Sequence, residues 1–207
     1  MIGVIDYRAG NGPSVKNALD SLGIQNCLTA DQRKLKECSH IILPGVGSAG
    51  ATMDSLNELG LIPVLEEHVL IERKPFFGIC VGLQVLFEHS EEDNADCLGW
   101  LRGDVVKFQS GAIRIPQIGW NSVKFTYEHP IWNGLENESY FYFVNSYHIR
   151  PAEPSDVLGV TDYGGEFTSI VARGNIVASQ FHIEKSGPAG LKLLKNFTKL
   201  GKEGAGC

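Results

Sequence analysis

From the amino end, the chain alternates short, nearly uninterrupted apolar runs with stretches whose apolar residues recur every three or four positions. Residues 2–5, His40-Ile41-Ile42-Leu43 and 76–79 lack the polar alternation of a half-exposed strand, which suits strands buried on both faces. Between the first two lies a helical pattern opened by Pro13, with Val15, Ala18, Leu19 and Leu22 on one face and Gly23 as its stop. Such strands, separated by amphipathic helices, predict a parallel sheet covered on both sides. The second half changes rhythm. Strand-like runs at 105–108, 123–126, 140–144, 157–161, 169–172 and 176–181 follow one another closely, separated by Asn133-Gly134, Gly164-Gly165 and Gly174-Asn175. They predict antiparallel strands added to the parallel core. A last helix opens near Pro188, with Leu191, Leu194 and Phe197 expected inward. The fold class expected is α/β, a three-layer sandwich with a mostly parallel central sheet plus added antiparallel strands. One domain is expected over residues 1–200, with a frayed tail at 201–207.

Composition narrows the function. The 207 residues are 43% hydrophobic, enough for one core, and a net charge of −6 argues against a nucleic-acid or anionic-membrane partner. No apolar run approaches the roughly 18 residues of a membrane span, and the chain begins directly in a strand pattern with no charged leader. Cys27, Cys38, Cys80, Cys97 and Cys207 are an odd set without CxxC spacing. That argues against a disulfide framework or a zinc site and suits a reducing cytoplasm. No cofactor or metal is expected, since HExxH and phosphate-loop spacings are absent. His40 and His68 fall in or beside apolar patterns and read as structural, while His89, His129 and His148 lie among polar or turn residues.

The chemistry concentrates at Gly78-Ile79-Cys80-Val81-Gly82, a cysteine version of the nucleophile elbow between a strand pattern and the opening of a helix over 81–87. A glycine on each side permits a sharp, strained turn, and the first turn of a helix favours thiolate over thiol. Phe181-His182-Ile183-Glu184 supplies the partners. His182 is expected at a strand end, and Glu184, two residues on in an extended segment, leaves the backbone on the same side. Cys80, His182 and Glu184 thus read as nucleophile, general base and acid, and orienting carboxylate. An acyl-transfer site also needs two N–H donors for its oxyanion. The amide of Val81 supplies one, and the glycine-rich loop 43–47, through Val46, is expected to supply the other. Glu88, Glu91, Glu92, Asp93 and Asp96 read most simply as a solvated acidic loop, or else as a lure for a substrate amino group. Trp120 alone reads equally as a strand's core aromatic or as an exposed binding anchor.

These motifs, with Asp6-Tyr7-Arg8-Ala9-Gly10-Asn11, Gln117-Ile118-Gly119-Trp120-Asn121, Tyr142-Phe143-Val144-Asn145-Ser146-Tyr147 and 180–186, resemble the class I (triad-type) glutamine amidotransferases over nearly the whole chain. Within that family the chain is similar to the glutaminase subunits that dock on a (β/α)8-barrel cyclase in histidine biosynthesis. The resemblance implies hydrolysis of L-glutamine to glutamate and ammonia through a γ-glutamyl thioester on Cys80. It implies delivery of the ammonia to a cyclase that makes imidazole glycerol phosphate and an aminoimidazole carboxamide nucleotide. It further implies that Gly47, Gln84, Glu92, Ser146 and Tyr147 hold the substrate, Glu92 through its α-ammonium, and that Asn11, Trp120, Tyr142 and Lys185 lie at the partner contact. Three residues depart from the family pattern: Ile183 stands where proline is usual, which would loosen Glu184, Asn145 where histidine is common, and Arg8 where glycine is frequent. Two other readings stay open. One is a paralogous glutaminase feeding a sugar-amidating synthase; the other is a catalytically idle subunit that only binds a partner.

Overall fold

The uninterrupted apolar runs become parallel neighbours in the middle of one sheet. The structure is a computed structural model, and it describes residues 1–8, 11–109, 111 and 113–201. Ala9 and Gly10 of the first motif, and residues 202–207 of the expected tail, lie outside the described residues. The first half runs β1 (Ile2–Ile5), α1 (Gly12–Ser21), β2 (Asn26–Thr29), α2 (Gln32–Glu37), β3 (His40–Leu43), α3 (Ala49–Glu58), α4 (Ile62–Glu66), β4 (Phe76–Ile79) and α5 (Val81–Gln84). The second runs β5 (His89–Ser90), β6 (Ala95–Asp96), β7 (Gly103–Lys107), β8 (Gln117–Phe125), β9 (Ser139–Asn145), β10 (Tyr147–Pro151), β11 (Val157–Asp162), β12 (Glu166–Arg173), β13 (Ile176–Ser179) and α6 (Gly187–Phe197).

The sheet order is β2-β1-β3-β4-β13-β12-β10-β7-β5-β6, with β11 branching from β12 to β8 and β9. The block from β2 to β13 is parallel; β12, β10 and β7 continue it antiparallel. This is the expected α/β class. Every residue of β1, β3, β4 and β13 is buried, as strands covered on both faces require. Phe76 and Phe77 are fully withdrawn from water, and Phe77 meets Phe197 of α6 edge to face at 5.3 Å. Each such ring contributes roughly 1.5–3 kcal/mol by burial.

Several boundaries differ from the sequence reading. β2, β5, β6 and β10 carry no clear strand pattern: β2 is a half-buried edge of four residues, and β5 and β6 have two residues each. The helix expected over 81–87 is a single turn, 81–84, with Val85 already at its cap. In α6, Leu193 is fully buried beside Leu194 and Phe197, whereas Leu191 is half-buried at the rim of the core.

His68 is a structural histidine, 1% exposed, and neither ring nitrogen has a hydrogen-bond partner among the described residues. Burial, helped by Lys74, holds it down to about 4. The folded state therefore prefers neutral imidazole, so stability present above about pH 6.5 is lost as pH falls through 6.5 towards 4. His68→Leu is expected to flatten that limb of the stability profile, read as urea midpoints at pH 7 and pH 5. An unchanged slope would locate the acid sensitivity elsewhere.

Candidate active site

β4 and α5 are joined by Cys80 alone, at φ 55° and ψ −110°. The left-handed conformation thus falls on the cysteine itself and not on the glycines that flank the turn. The glycines serve close packing instead. A Cβ on Gly78 would meet the Gly82 carbonyl oxygen at 2.4 Å, one on Gly82 the Leu43 oxygen at 2.1 Å, and one on Gly45 the Gly82 nitrogen at 2.3 Å. Three backbones touch there, and any side chain would part them. Arg8 also takes a positive φ, 65°, a conformation glycine adopts readily.

β13 ends at Ser179, and the next residues bring His182 beneath β9, where its amide donates to the Tyr142 carbonyl at 2.9 Å. His182 is extended, but Ile183–Lys185 is a tight 3-10 turn. Glu184 therefore reaches the imidazole by curling back, a correction to the alternating geometry expected. His182 Nδ1 donates to Glu184 Oε1 at 2.8 Å, both side chains being almost wholly buried. Ile183 occupies the first position of the turn, where proline fits without losing a needed N–H. Packing fixes the turn in its place: Ile183 is buried, and a Cβ on Gly190 of α6 would lie 1.9 Å from the Ile183 carbonyl oxygen. Ser186 completes the fastening, its hydroxyl donating to the His182 carbonyl at 2.6 Å and accepting from the Tyr142 amide at 2.9 Å.

Cys80 is 5% exposed, and it and His182 line the same cavity. Burial opposes a charged imidazole, but hydrogen bonds to Cys80 and Glu184, and their charges, outweigh it and raise His182 to about 10. The arrangement favours an imidazolium beside the Cys80 sulfur. Asn11, expected at a partner contact, donates its side-chain amide to Glu184 Oε1, and Glu184 Oε2 has no partner among the described residues.

In front of the sulfur lies a cavity of about 240 Å³ lined by Val46, Gly47, Val81, Gln84, Glu92, Ser146, Tyr147 and His182, together with Pro116, Val144 and Asn145. All the residues expected to touch substrate or oxyanion thus meet around Cys80. The Val46 backbone also lies near the hydroxyl of Tyr7, which burial pushes up to about 12. Glu92 is tied to the α3 amino end, accepting from the Ala49 amide at 3.2 Å, and burial raises it above the usual carboxylate range. Its acidic neighbours are solvated, as the sequence suggested, though two of them are tied to backbone amides. Glu88 and Glu91 accept from the Gly103 and Lys107 amides at 2.8 and 2.7 Å, and both remain exposed, as do Asp93 and Asp96. Among the described residues no group of three or more His, Cys, Asp or Glu is placed to hold a metal, and no helix is long and apolar enough to cross a membrane.

Comparisons with known proteins identify the family. The model of the family "Glutamine amidotransferase class-I" matches residues 4–200. The chain belongs to that family. Among curated class I amidotransferase relatives, the imidazole glycerol phosphate synthase subunit HisH of Sulfurimonas denitrificans is 46% identical over 204 residues, covering 96% of this chain and 98% of its own. That of Methanocaldococcus jannaschii is 44% identical, covering 97% and 100%. A solved "glutamine amidotransferase" superposes with a TM-score of 0.76 at 22% identity over 96% of this chain and 97% of its own, a likeness of fold. The PurLQS structure from Thermotoga maritima gives 0.75 at 19%, covering 96% and 97%.

In this amidotransferase one contact to the sulfur had no sequence signal. Gln180, fully buried, donates from Nε2 to Cys80 Sγ at 3.6 Å and accepts from Gln84 Nε2 at 3.0 Å; Gln84 Nε2 also donates to the Tyr147 carbonyl at 3.3 Å. Asn145 donates to that same carbonyl at 3.0 Å. Hydrogen bonds to charged groups are worth about 1.5–3 kcal/mol. Gln180→Leu is accordingly expected to slow alkylation of Cys80 by iodoacetamide at neutral pH by about tenfold or more. An unaltered alkylation rate would remove Gln180 from that role.

Proposed function

We propose that this chain is the glutaminase subunit of an imidazole glycerol phosphate synthase, hydrolysing L-glutamine and passing ammonia to a (β/α)8-barrel cyclase in the cytoplasm. The observation that carries the reading is the buried line from Cys80 through His182 to Glu184, opening into a cavity sized for a small substrate. The full-length likeness to HisH subunits supplies the choice within the family.

In the proposed mechanism the Cys80 thiolate attacks the side-chain amide carbon, and the amides of Val46 and Val81 receive the oxyanion. His182, already carrying its proton, gives it to the departing ammonia. The neutral imidazole then takes a proton from water, which cleaves the thioester and frees glutamate. Glu184 holds Nδ1–H throughout, so that the other ring nitrogen faces the reacting atoms. Glu92 is placed for the α-ammonium, and Gln84 with the backbones of Gly47, Ser146 and Tyr147 for the rest of the substrate.

Ammonia must leave without meeting water, and the proposed docking face lies beside the site. On the β8–β9 pair Trp120 stands 56% exposed, its ring 6.0 Å from that of Tyr142 and directly over Gly187; Ile118 and Tyr140 are exposed beside it, as is Lys185 nearby. Large exposed aromatics are frequent binding anchors. The deciding experiment measures glutamine turnover with and without the barrel cyclase, and cyclase product made from glutamine. Stimulation by the cyclase is expected. Trp120→Ala is expected to weaken the complex by roughly tenfold or more while leaving thermal stability unchanged. Stimulation by a sugar-amidating synthase instead, or no turnover with any partner, would overturn the assignment.

A further inference from the structure

Far from Cys80 the fold brings two other sulfurs together. Cys27 lies on β2, the outer strand of the parallel block, and is half-buried; Cys38 follows α2 directly and is fully buried. Their Sγ atoms are 3.9 Å apart. The sequence spacing gave no hint of this, since ten residues (28–37) and a helix intervene. The strand between them makes room. Gly3 of β1 is the register partner of Cys27, and a Cβ on Gly3 would lie 3.0 Å from Cys38 Sγ and 3.2 Å from Leu35 Cδ2. With no side chain on Gly3, the sulfur of Cys38 settles over β1 towards β2. Neither thiol takes part in glutamine hydrolysis as proposed above.

We propose that Cys27 and Cys38 are a reversible disulfide site, closed by a hydroperoxide oxidant and opened by a dithiol. A disulfide needs its sulfurs about 2.05 Å apart, so closure asks for an approach of about 2 Å. An edge strand and a residue outside its helix are well suited to supply it. The order of steps follows from the surroundings. Burial and the neighbouring sulfur push Cys38 up to about 12, and its thiol donates to the Lys34 carbonyl at 3.2 Å. Cys38 is therefore held as thiol, and the half-buried Cys27 meets the oxidant first. Its sulfur takes one oxygen from the peroxide, giving a sulfenic acid and one water from hydrogen peroxide, or one alcohol from an organic hydroperoxide. The Cys38 sulfur then attacks the Cys27 sulfur: the S–S bond forms, the S–O bond breaks, and the hydroxyl leaves with the Cys38 proton as water. Two thiols have lost two hydrogens, and one peroxide has been reduced. Closing the loop limits the unfolded chain, so the oxidised form is the more heat-resistant.

The test uses the full chain carrying Cys80→Ala, which removes the competing nucleophile. After mild hydrogen peroxide, trypsin cuts at Arg33, Lys34 and Lys36, so the two cysteines fall on different peptides. The expected result is one linked pair seen without reductant and split by dithiothreitol. The thermal midpoint should rise reversibly by several degrees. Cys27→Ser and Cys38→Ala should each abolish both effects, and the linked pair in the parent chain is decisive even where a variant folds poorly. Recovery of the two peptides unlinked, as free thiols or over-oxidised acids, would overturn the proposal, as would linkage of either to Cys97 or Cys207.

Discussion

Cys80→Ala is expected to lower glutamine turnover by about 10⁴-fold or more, to the background left when a nucleophile is removed from a preorganised site. The loss should be chemical and not structural. Alanine keeps the Cβ and can hold the same backbone at the same strain, and the sulfur's hydrogen bonds with Gln180 and the Val144 carbonyl are long, 3.6 and 3.8 Å. Binding to the cyclase should therefore survive, and free ammonium salts should still feed the cyclase in the variant complex. The check is twofold: glutamate release from glutamine, and cyclase product from ammonium. Full glutamine turnover in the variant would refute the nucleophile. Loss of both readouts would point to a folding defect instead.

Gly82→Ala is expected to be severely damaging. Its Cβ would sit 2.1 Å from the Leu43 carbonyl oxygen and 3.1 Å from the Leu43 carbonyl carbon, backbone atoms at the end of β3 that no rotamer change can move aside. Relief requires β3 and α5 to separate, and that separation carries Val81 and Cys80 with it. We expect a loss of about 3 kcal/mol or more, a fall in thermal midpoint of roughly 6–12 °C, and reduced turnover at temperatures where the chain is still folded. Gly111→Ala, whose added methyl meets nothing within 4 Å, is the control. A midpoint unchanged from the parent would show that the elbow is not packed as tightly as its backbone contacts imply.

What the sequence revealed tracks how local the physics is. β1, β3 and β4 were legible because strands buried on both faces must be apolar throughout; β13 was read as a strand but grouped with the antiparallel additions, whereas it lies parallel to β4. β2 and β10 were not, since an edge strand of Asn-Cys-Leu-Thr or a run holding His148, Arg150 and Pro151 owes its pairing to its neighbours and not to its pattern. Cys80, His182 and Glu184 could be read because an elbow and a His-x-Glu are contiguous signals. Gln180, Ser186 and the reach of Asn11 to Glu184 could not. They join residues 100, 44 and 173 positions apart, and only the assembled sheet defines them. The glycines were identified correctly and explained wrongly: flexibility was inferred where steric contact between three backbones is what demands them.

The backbone angle at Cys80 has a consequence for how such a chain ages. A side chain held at φ 55° costs of order 1–3 kcal/mol, and glycine would carry the same bend almost free of that penalty. The mutation that most relieves this turn is thus the one that ends the reaction. In a lineage that no longer drew ammonia from the subunit, drift would run downhill towards losing the sulfur. Keeping the sulfur at this angle holds the turn in its costlier form.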